Sequence, residues 1–163
     1  VLSRVSVDYA SFYEPIASNK GPVISPAMFE RYAMPGYRKV LAVIDKYDIP
    51  LRIFCTTGGN LASLLPMLIE AGMNALWISN IQSSRMKYSA LRKTYGREMA
   101  LIGGVDSGAL GQGPDEVRRA VMETVPELLE GGRYLPCLDD RPRANISFER
   151  YRQFRRLLVE LSS

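Results

Sequence analysis

The chain has 163 residues, 47% of them hydrophobic and 23% charged, with a formal net charge of +4. That balance fits one globular domain over 1–163, able to bury roughly 70% of the surface its unfolded chain exposes. No apolar run approaches the ~20 residues of a membrane span and the chain opens on no signal-peptide pattern, so membrane and secretory classes are excluded and a cytoplasmic location is expected. The first residue is Val rather than Met, which reads as a fragment or a processed start. There is no histidine. Within this chain that removes the His-based triads, the imidazole base near neutral pH and every histidine metal ligand. Arg141, Arg143, Arg150, Arg152, Arg155 and Arg156 gather near the end. They read as a solvated helix face first and as a site for an anionic ligand or acidic partner second. With no aromatic-studded basic module, nucleic acid is not an expected partner.

In chain order, Val5 to Tyr9 is short and β-branched, a weak strand. A loop, Ser11 to Ile24, leads to Ser25-Pro26, where Ser suits an N-cap and Pro the first helical turn. Helical periodicity carries Met28, Phe29, Tyr32, Val40, Leu41, Val43 and Ile44, with Pro35-Gly36 as a kink or break. Leu51 to Cys55 is an apolar strand. The turn Thr56-Thr57-Gly58-Gly59-Asn60 follows, with Asn60 capping a helix from Leu61 to Ala71 that Gly72 closes. Ala75 to Ile78 is a strand, Ser84 to Tyr95 a helix stopped by Gly96, and Met99 to Ile102 a strand ending in Gly103-Gly104. Gly113-Pro114-Asp115 opens a helix through Leu129, Tyr134 to Leu138 is the last strand, and Ser147 to Leu161 the last helix.

Strand-then-helix units in this order predict an α/β protein with a parallel sheet. Five such units fall short of a closed (β/α)8 barrel, which typically takes about 250 residues. The choice lies between an open doubly wound sheet and five strands of a TIM-type barrel. In the second case two unpaired sheet edges invite a homodimer.

In either architecture ligands gather at the C-terminal strand ends. There the sequence places Asp8 and Tyr9; Cys55 with the Thr56–Asn60 turn; Ser79 and Asn80; Gly103, Gly104 and Asp106; and Cys137, Asp139, Asp140 and Arg141. The Thr56–Asn60 turn reads as a tight connection, or as an N–H cradle for phosphate or carboxylate. Asp106 reads as a base or hydrogen-bond anchor, or as the cap of a short turn before Leu110. Asp139 and Asp140 beside Arg141 and Arg143 form a solvated loop, or a clamp on a polar substrate. Cys55 and Cys137 read as small buried hydrophobes, or as two thiolates converging on a metal, a weak zinc signal without a third ligand.

Taken together, several segments resemble the C-terminal half of the uroporphyrinogen decarboxylase superfamily. They are Gly21-Pro22-Val23-Ile24-Ser25-Pro26, Leu68-Ile69-Glu70-Ala71-Gly72, Leu91-Arg92-Lys93-Thr94-Tyr95-Gly96, Ala100-Leu101-Ile102-Gly103-Gly104-Val105-Asp106, Gly131-Gly132 and Ile146-Ser147-Phe148-Glu149-Arg150-Tyr151. The resemblance implies the C-terminal five strands of a TIM barrel with its site at the mouth. It also implies decarboxylation, as in porphyrin biosynthesis, or methyl transfer linked to a corrinoid carried by a partner protein. The Leu-Ile-Gly-Gly-Val-Asp stretch is closer to the methyltransferase-type and uncharacterised branches. Those methyltransferases commonly carry His-x-Cys or Asp-x-Asp before Gly-Asn, a Glu at the next strand end and Asp-His or Cys in the late loop. Here stand Thr56 and Gly58, Asn80, and Asp139-Asp140. Zinc would therefore fall to Cys55 and Cys137, both shifted from the ligand positions. The expected site is Asp106 and Asp140 as catalytic groups or polar anchors, with Asp8, Tyr9, Thr56, Asn60, Asn80 and Arg141 holding a small carboxylated or methylated substrate. A non-catalytic relative that binds a ligand or a corrinoid protein is the alternative.

Overall fold

The structure is a computed structural model that describes residues 4–18 and 20–162; Val1, on which the sequence opens, lies outside them. Five strands, β1 (Tyr9–Glu14), β4 (Leu51–Thr56), β5 (Ala75–Ile78), β6 (Ala100–Val105) and β7 (Tyr134–Leu138), form one sheet in the order β1-β4-β5-β6-β7, every pair parallel. β2 (Ala17–Ser18) and β3 (Gly21–Pro22) make a separate small hairpin. Spatial order follows chain order with no reversal. A doubly wound sheet reverses its strand order at a switch point, and these five strands show no reversal. Unreversed order is what consecutive strands of a barrel show, and right-handed crossovers then put every helix on one face.

The strands bury different residues on their two faces. Toward the helices, Phe54, Leu76, Ile78 and Leu101 pack with Leu41, Ile44, Leu65, Leu68 and Leu91. Val105 and Leu138 pack with Val117, Val121 and Val125 of α6 (Pro114–Gly131) and with Phe154, Leu157 and Leu158 of α7 (Phe148–Ser162). On the other face Ile53, Cys55, Ala75 and Ile102 meet Leu51, Trp77, Ala100 and Cys137, all strand residues. Apolar side chains on both faces are the mark of a parallel sheet.

The first strand departs from the sequence reading. It runs Tyr9–Glu14, not Val5 to Tyr9, and so lies in the expected loop. Pairing decides this over local propensity: Phe12 stands opposite Phe54, and its ring lies 5.7 Å from that of Tyr37. Of the kink or break expected at Pro35-Gly36, the break is absent. After α1 (Pro26–Met28) a π-helical turn, Phe29–Ala33, leads straight into α2 (Met34–Lys46). Pro35 thus falls in the first turn of α2, where its missing N–H is harmless. Ser25 caps as expected, its Oγ accepting from Met28 N–H at 3.2 Å. The helix read from Leu61 shortens to α3 (Leu65–Glu70), with Pro66 in its first turn. The helix read from Ser84 divides into a single turn α4 (Ile81–Ser84) and α5 (Tyr88–Tyr95), parted by Arg85 at φ +54°.

The β5–β6 ladder pairs Ala75, Leu76 and Trp77 with Ala100, Leu101 and Ile102, then opens. The buried Tyr88 fills the opening. Its hydroxyl accepts from Ile78 N–H at 2.9 Å and donates to Ile102 C=O at 2.7 Å, completing a rung between the two strands. Burial pushes this phenol well above its usual range, so it stays a donor. The ring lies against Gly104, at φ +88°, where a Cβ would stand 2.7 Å from the ring's Cδ2. Gly104→Ala should therefore cost about 3 kcal/mol, combining left-handed strain with overpacking. Gly36→Ala, in open space within α2, should instead stabilise by about 0.5–1 kcal/mol. Chemical denaturation of both variants measures the contrast.

Candidate functional site

The parallel sheet brings its strand ends to one edge, and a buried side chain joins their loops. Asp139 follows β7 directly, and its own N–H continues the ladder to Val105 C=O at 2.9 Å. It is 1% exposed. One carboxylate oxygen, Oδ2, accepts from Ile81 N–H at 2.7 Å in the loop after β5. The other, Oδ1, accepts from Ser107 N–H at 2.9 Å in the loop after β6. Charge-assisted bonds of this kind satisfy a buried carboxylate, so Asp139 is the clamp of the rim.

That clamp assembles Asn80, Asp106, Asp140 and Arg141. Asn80 is exposed, in the left-handed region at φ +52°. Asp106 accepts Gly108 N–H on Oδ1 at 2.8 Å and so caps the short 3-10 helix Ser107–Gly111. It also lines a small cavity of about 90 Å3 beside Gly104, Gln112 and Arg119. Asp140 accepts the Arg141 backbone N–H at 2.7 Å and the Arg143 guanidinium at 3.1 Å. First the N–H and then the guanidinium hold its carboxyl below the usual range, so it is an anion at neutral pH. The Arg141 guanidinium is exposed and has no carboxylate in ion-pair distance among the described residues.

Other expected residues stand elsewhere. Asp8 and Tyr9 are a correction: Tyr9 opens β1 rather than closing it, so both lie at the opposite edge of the sheet. The residue at the C-terminal end of that strand is Glu14; burial first, and then Glu14, raises the phenol of Tyr37. Thr56 is 0% exposed and donates its hydroxyl to Gly58 C=O at 3.1 Å. Asn60 donates its N–H to Ser18 C=O at 2.9 Å and accepts Ala62 N–H on its side chain at 3.0 Å. The β2–β3 hairpin lies on this turn so closely that a Cβ on Gly59 would be 2.5 Å from Ala17. The turn is a packed connection, and both side chains are engaged within it.

The cysteines do not fit zinc. Cys55 on β4 and Cys137 on β7 have two strands between them. At ~4.8 Å per strand step they are about 14 Å apart along the sheet, far beyond two ligands of one ion at ~2.3 Å each. The Cys55 thiol meets Ser11 Oγ at 3.4 Å, and burial raises its pKa. Burial and then the neighbouring Asp139 push Cys137 up to about 11. Among the described residues no three His, Cys, Asp or Glu side chains group as metal ligands.

Sequence reasoning kept Asp139 beside Asp140 on the loop after β7 but gave the catalytic role to Asp140, and it gave Tyr88 no part in joining β5 to β6. The available signal for Asp139 was its position, since the first residue past an apolar strand continues the ladder and sits on the buried rim.

A parallel sheet of β/α units in unreversed order, with its polar loops at the C-terminal strand edge, is the class of protein the geometry defines. A family model described as Uroporphyrinogen decarboxylase (URO-D) matches residues 14–136, and the chain belongs to that family. The match ends at Pro136, so Asp139, Asp140, Arg141 and α7 lie beyond it. Two relatives, both called uroporphyrinogen decarboxylase, are similar. The protein from Syntrophotalea carbinolica is 26% identical over 107 residues, covering 66% of this chain and 29% of the relative. The one from Desulfotalea psychrophila is 28% identical over 102 residues, covering 61% and 27%. The match thus spans less than a third of these relatives' length. No helix among the described residues is long and apolar enough to cross a membrane.

Asp139→Asn replaces one acceptor oxygen with an amide that cannot accept, and should destabilise by about 2 kcal/mol in chemical denaturation. Alkylation by iodoacetamide reports the thiols: with raised pKa values, Cys55 and Cys137 should both react far more slowly at pH 7 than a free cysteine. The Cys137 rate should climb only above pH 9, toward its pKa of about 11.

Proposed function

We propose that this chain forms five consecutive strands and part of the mouth of a URO-D-type barrel that decarboxylates a small carboxylated substrate. The carrying observation is the Asp139 clamp, which holds the Asn80, Asp106, Asp140 and Arg141 loops on one rim. Arg141, exposed and with no carboxylate in ion-pair distance among the described residues, binds a substrate carboxylate. Asp140, held as an anion, accepts a substrate N–H and does not act as the proton donor. Asp106 presents a second carboxylate beside the small cavity. In the reaction the bond to the departing carboxylate breaks, CO2 leaves, and the electron pair stays on carbon, which takes a proton delivered through water or an acid at the rim. The outer edges of β1 and β7 are where further strands, or a second copy, would add to the sheet.

Methyl transfer from a corrinoid-carrying partner is the lesser reading. A metal that activates a thiol acceptor needs converging ligands, and Cys55 and Cys137 stand on strands with two others between them.

The test is CO2 release from uroporphyrinogen by the intact protein. Asp140→Asn and Arg141→Ala should each lower kcat/KM by about 100-fold or more, with unchanged melting. Turnover at the unaltered rate in both variants would overturn the roles assigned.

A further inference from the structure

The helix α2 has two apolar faces, and only one of them packs. Met34, Leu41 and Ile44 are buried in the core. Gly36, Val40, Val43 and, at the C-cap, Tyr47 form a second row, which falls within about 60° of arc on a helix. Val40 is 49% exposed and Val43 47%, and a Cβ on Gly36 would meet nothing within 4 Å. Single exposed apolar residues are ordinary, but a continuous row of them along a helix marks an interaction surface.

The contacts of α2 fix which way this row faces. Asp45 lies about half a turn round the helix from the row and pairs with Arg52 of β4. Arg52 also donates to Gly72 C=O at 3.3 Å, just past α3. That flank of α2 is thus turned to β4 and α3. The row is turned the other way, to the side where β1 ends the sheet with no further neighbour among the described residues. An open strand edge and an uncovered helix row stand at the same end of the layer, an arrangement that one added β/α unit would complete.

Charge selects the occupant. The exposed Lys39 and Lys46 border the row on the side away from the core. A second copy docked row to row, with antiparallel helices and Val40 against Val43, would set the lysines of one copy near those of the other, like charge on like. A helix with Asp or Glu along that border would meet both lysines with opposite charge instead.

We propose that this end of the layer receives a β/α unit whose strand pairs with β1 and whose helix lies along Gly36, Val40, Val43 and Tyr47. That helix carries an apolar row of its own, bordered by aspartates or glutamates. The inference rests on the reading of the sheet as part of a larger barrel. Apolar contact supplies the affinity, and the acid–lysine border sets which helix docks.

The probe is a fluorescein-labelled synthetic helix of about 20 residues, with leucines at i, i+3, i+4 and i+7 and glutamates along one border. Its twin has lysine for each glutamate. Anisotropy is followed as the intact chain is added. Saturable binding of the glutamate helix is expected, with the lysine twin weaker by about tenfold or more. Val43→Asp should weaken binding by about tenfold or more with Tm unchanged, because the side chain is exposed. Lys39→Glu with Lys46→Glu should abolish or reverse the preference between the twins. No saturation up to about 1 mM chain, equal binding of the twins, full binding by Val43→Asp, or an unchanged preference in the double variant would each overturn the proposal. So would a dimer in sedimentation that Val43→Asp abolishes, which gives the row to a second copy. Binding is read without turnover, so a failed titration and a failed CO2 assay are separate results.

Discussion

Two backbone N–H groups from two different loops converge on the buried Asp139 carboxylate, and the geometry of the strand-end rim follows from that convergence. The position of the carboxylate is itself set by the sheet, because Asp139 N–H adds a last rung to β6 at Val105. A buried carboxylate is costly unless its lone pairs are filled. Charge-assisted bonds to both oxygens offset that cost only when Ile81 and Ser107 stand where they do. The two loops thus inherit the order of the ladder. Asn80 precedes one bonded residue, Asp106 precedes the other, and Asp140 and Arg141 follow the carboxylate directly. A rim of four polar residues from three loops is held by one side chain.

Tyr88 acts similarly one layer deeper. Beyond Trp77 and Ile102 the strands β5 and β6 stand too far apart to bond directly, and a hydroxyl carries the rung instead. Both glycines at the end of β6 have positive φ. A side chain at Gly103 would meet Trp77 and one at Gly104 would meet Tyr88. Only glycine lets the two large rings approach the strand from its two faces. The Tyr134 hydroxyl donates to Gly103 C=O at 2.7 Å, so two phenols serve consecutive carbonyls where the strand leaves regular geometry.

Much of this architecture was legible in the sequence because it depends on local signals. The apolar runs of β4, β5, β6 and β7 and the Gly-Pro start of α6 are set by neighbours within a few residues. So is the cap at Ser25. The first strand was not legible, since Val5 and Val7 have the local propensity while Ala10 and Phe12 have the strand partners, Arg52 and Phe54. Strand order was equally hidden: alternating strands and helices suit both wound and barrel sheets, and only long-range pairing separates them. At the rim, Asp106 carried its cap signal openly in the Gly-Gly-Val-Asp-Ser-Gly context. Asp139 did not, because a carboxylate after a strand looks the same in sequence whether it is solvated or clamped. The Thr56–Asn60 turn shows the converse. Its composition suits an anion cradle, but a hairpin formed by residues some forty positions earlier closes over it.

The ionisable groups narrow the chemistry that the rim supports. With no histidine in the chain and both thiols shifted toward the neutral form, neither a neutral-pH imidazole nor a ready thiolate is at hand among the described residues. What stands at the rim is a fixed anion at Asp140, an exposed guanidinium at Arg141 and a carboxylate at Asp106. In the proposed function, this anion and cation on adjacent residues recognise a molecule that offers N–H donors and carboxylates together. In the proposed decarboxylation their effect is electrostatic: they orient the substrate and stabilise the charge that develops as CO2 departs. That contribution depends on the loops not moving when the charge appears, which is the property that the Asp139 clamp gives them.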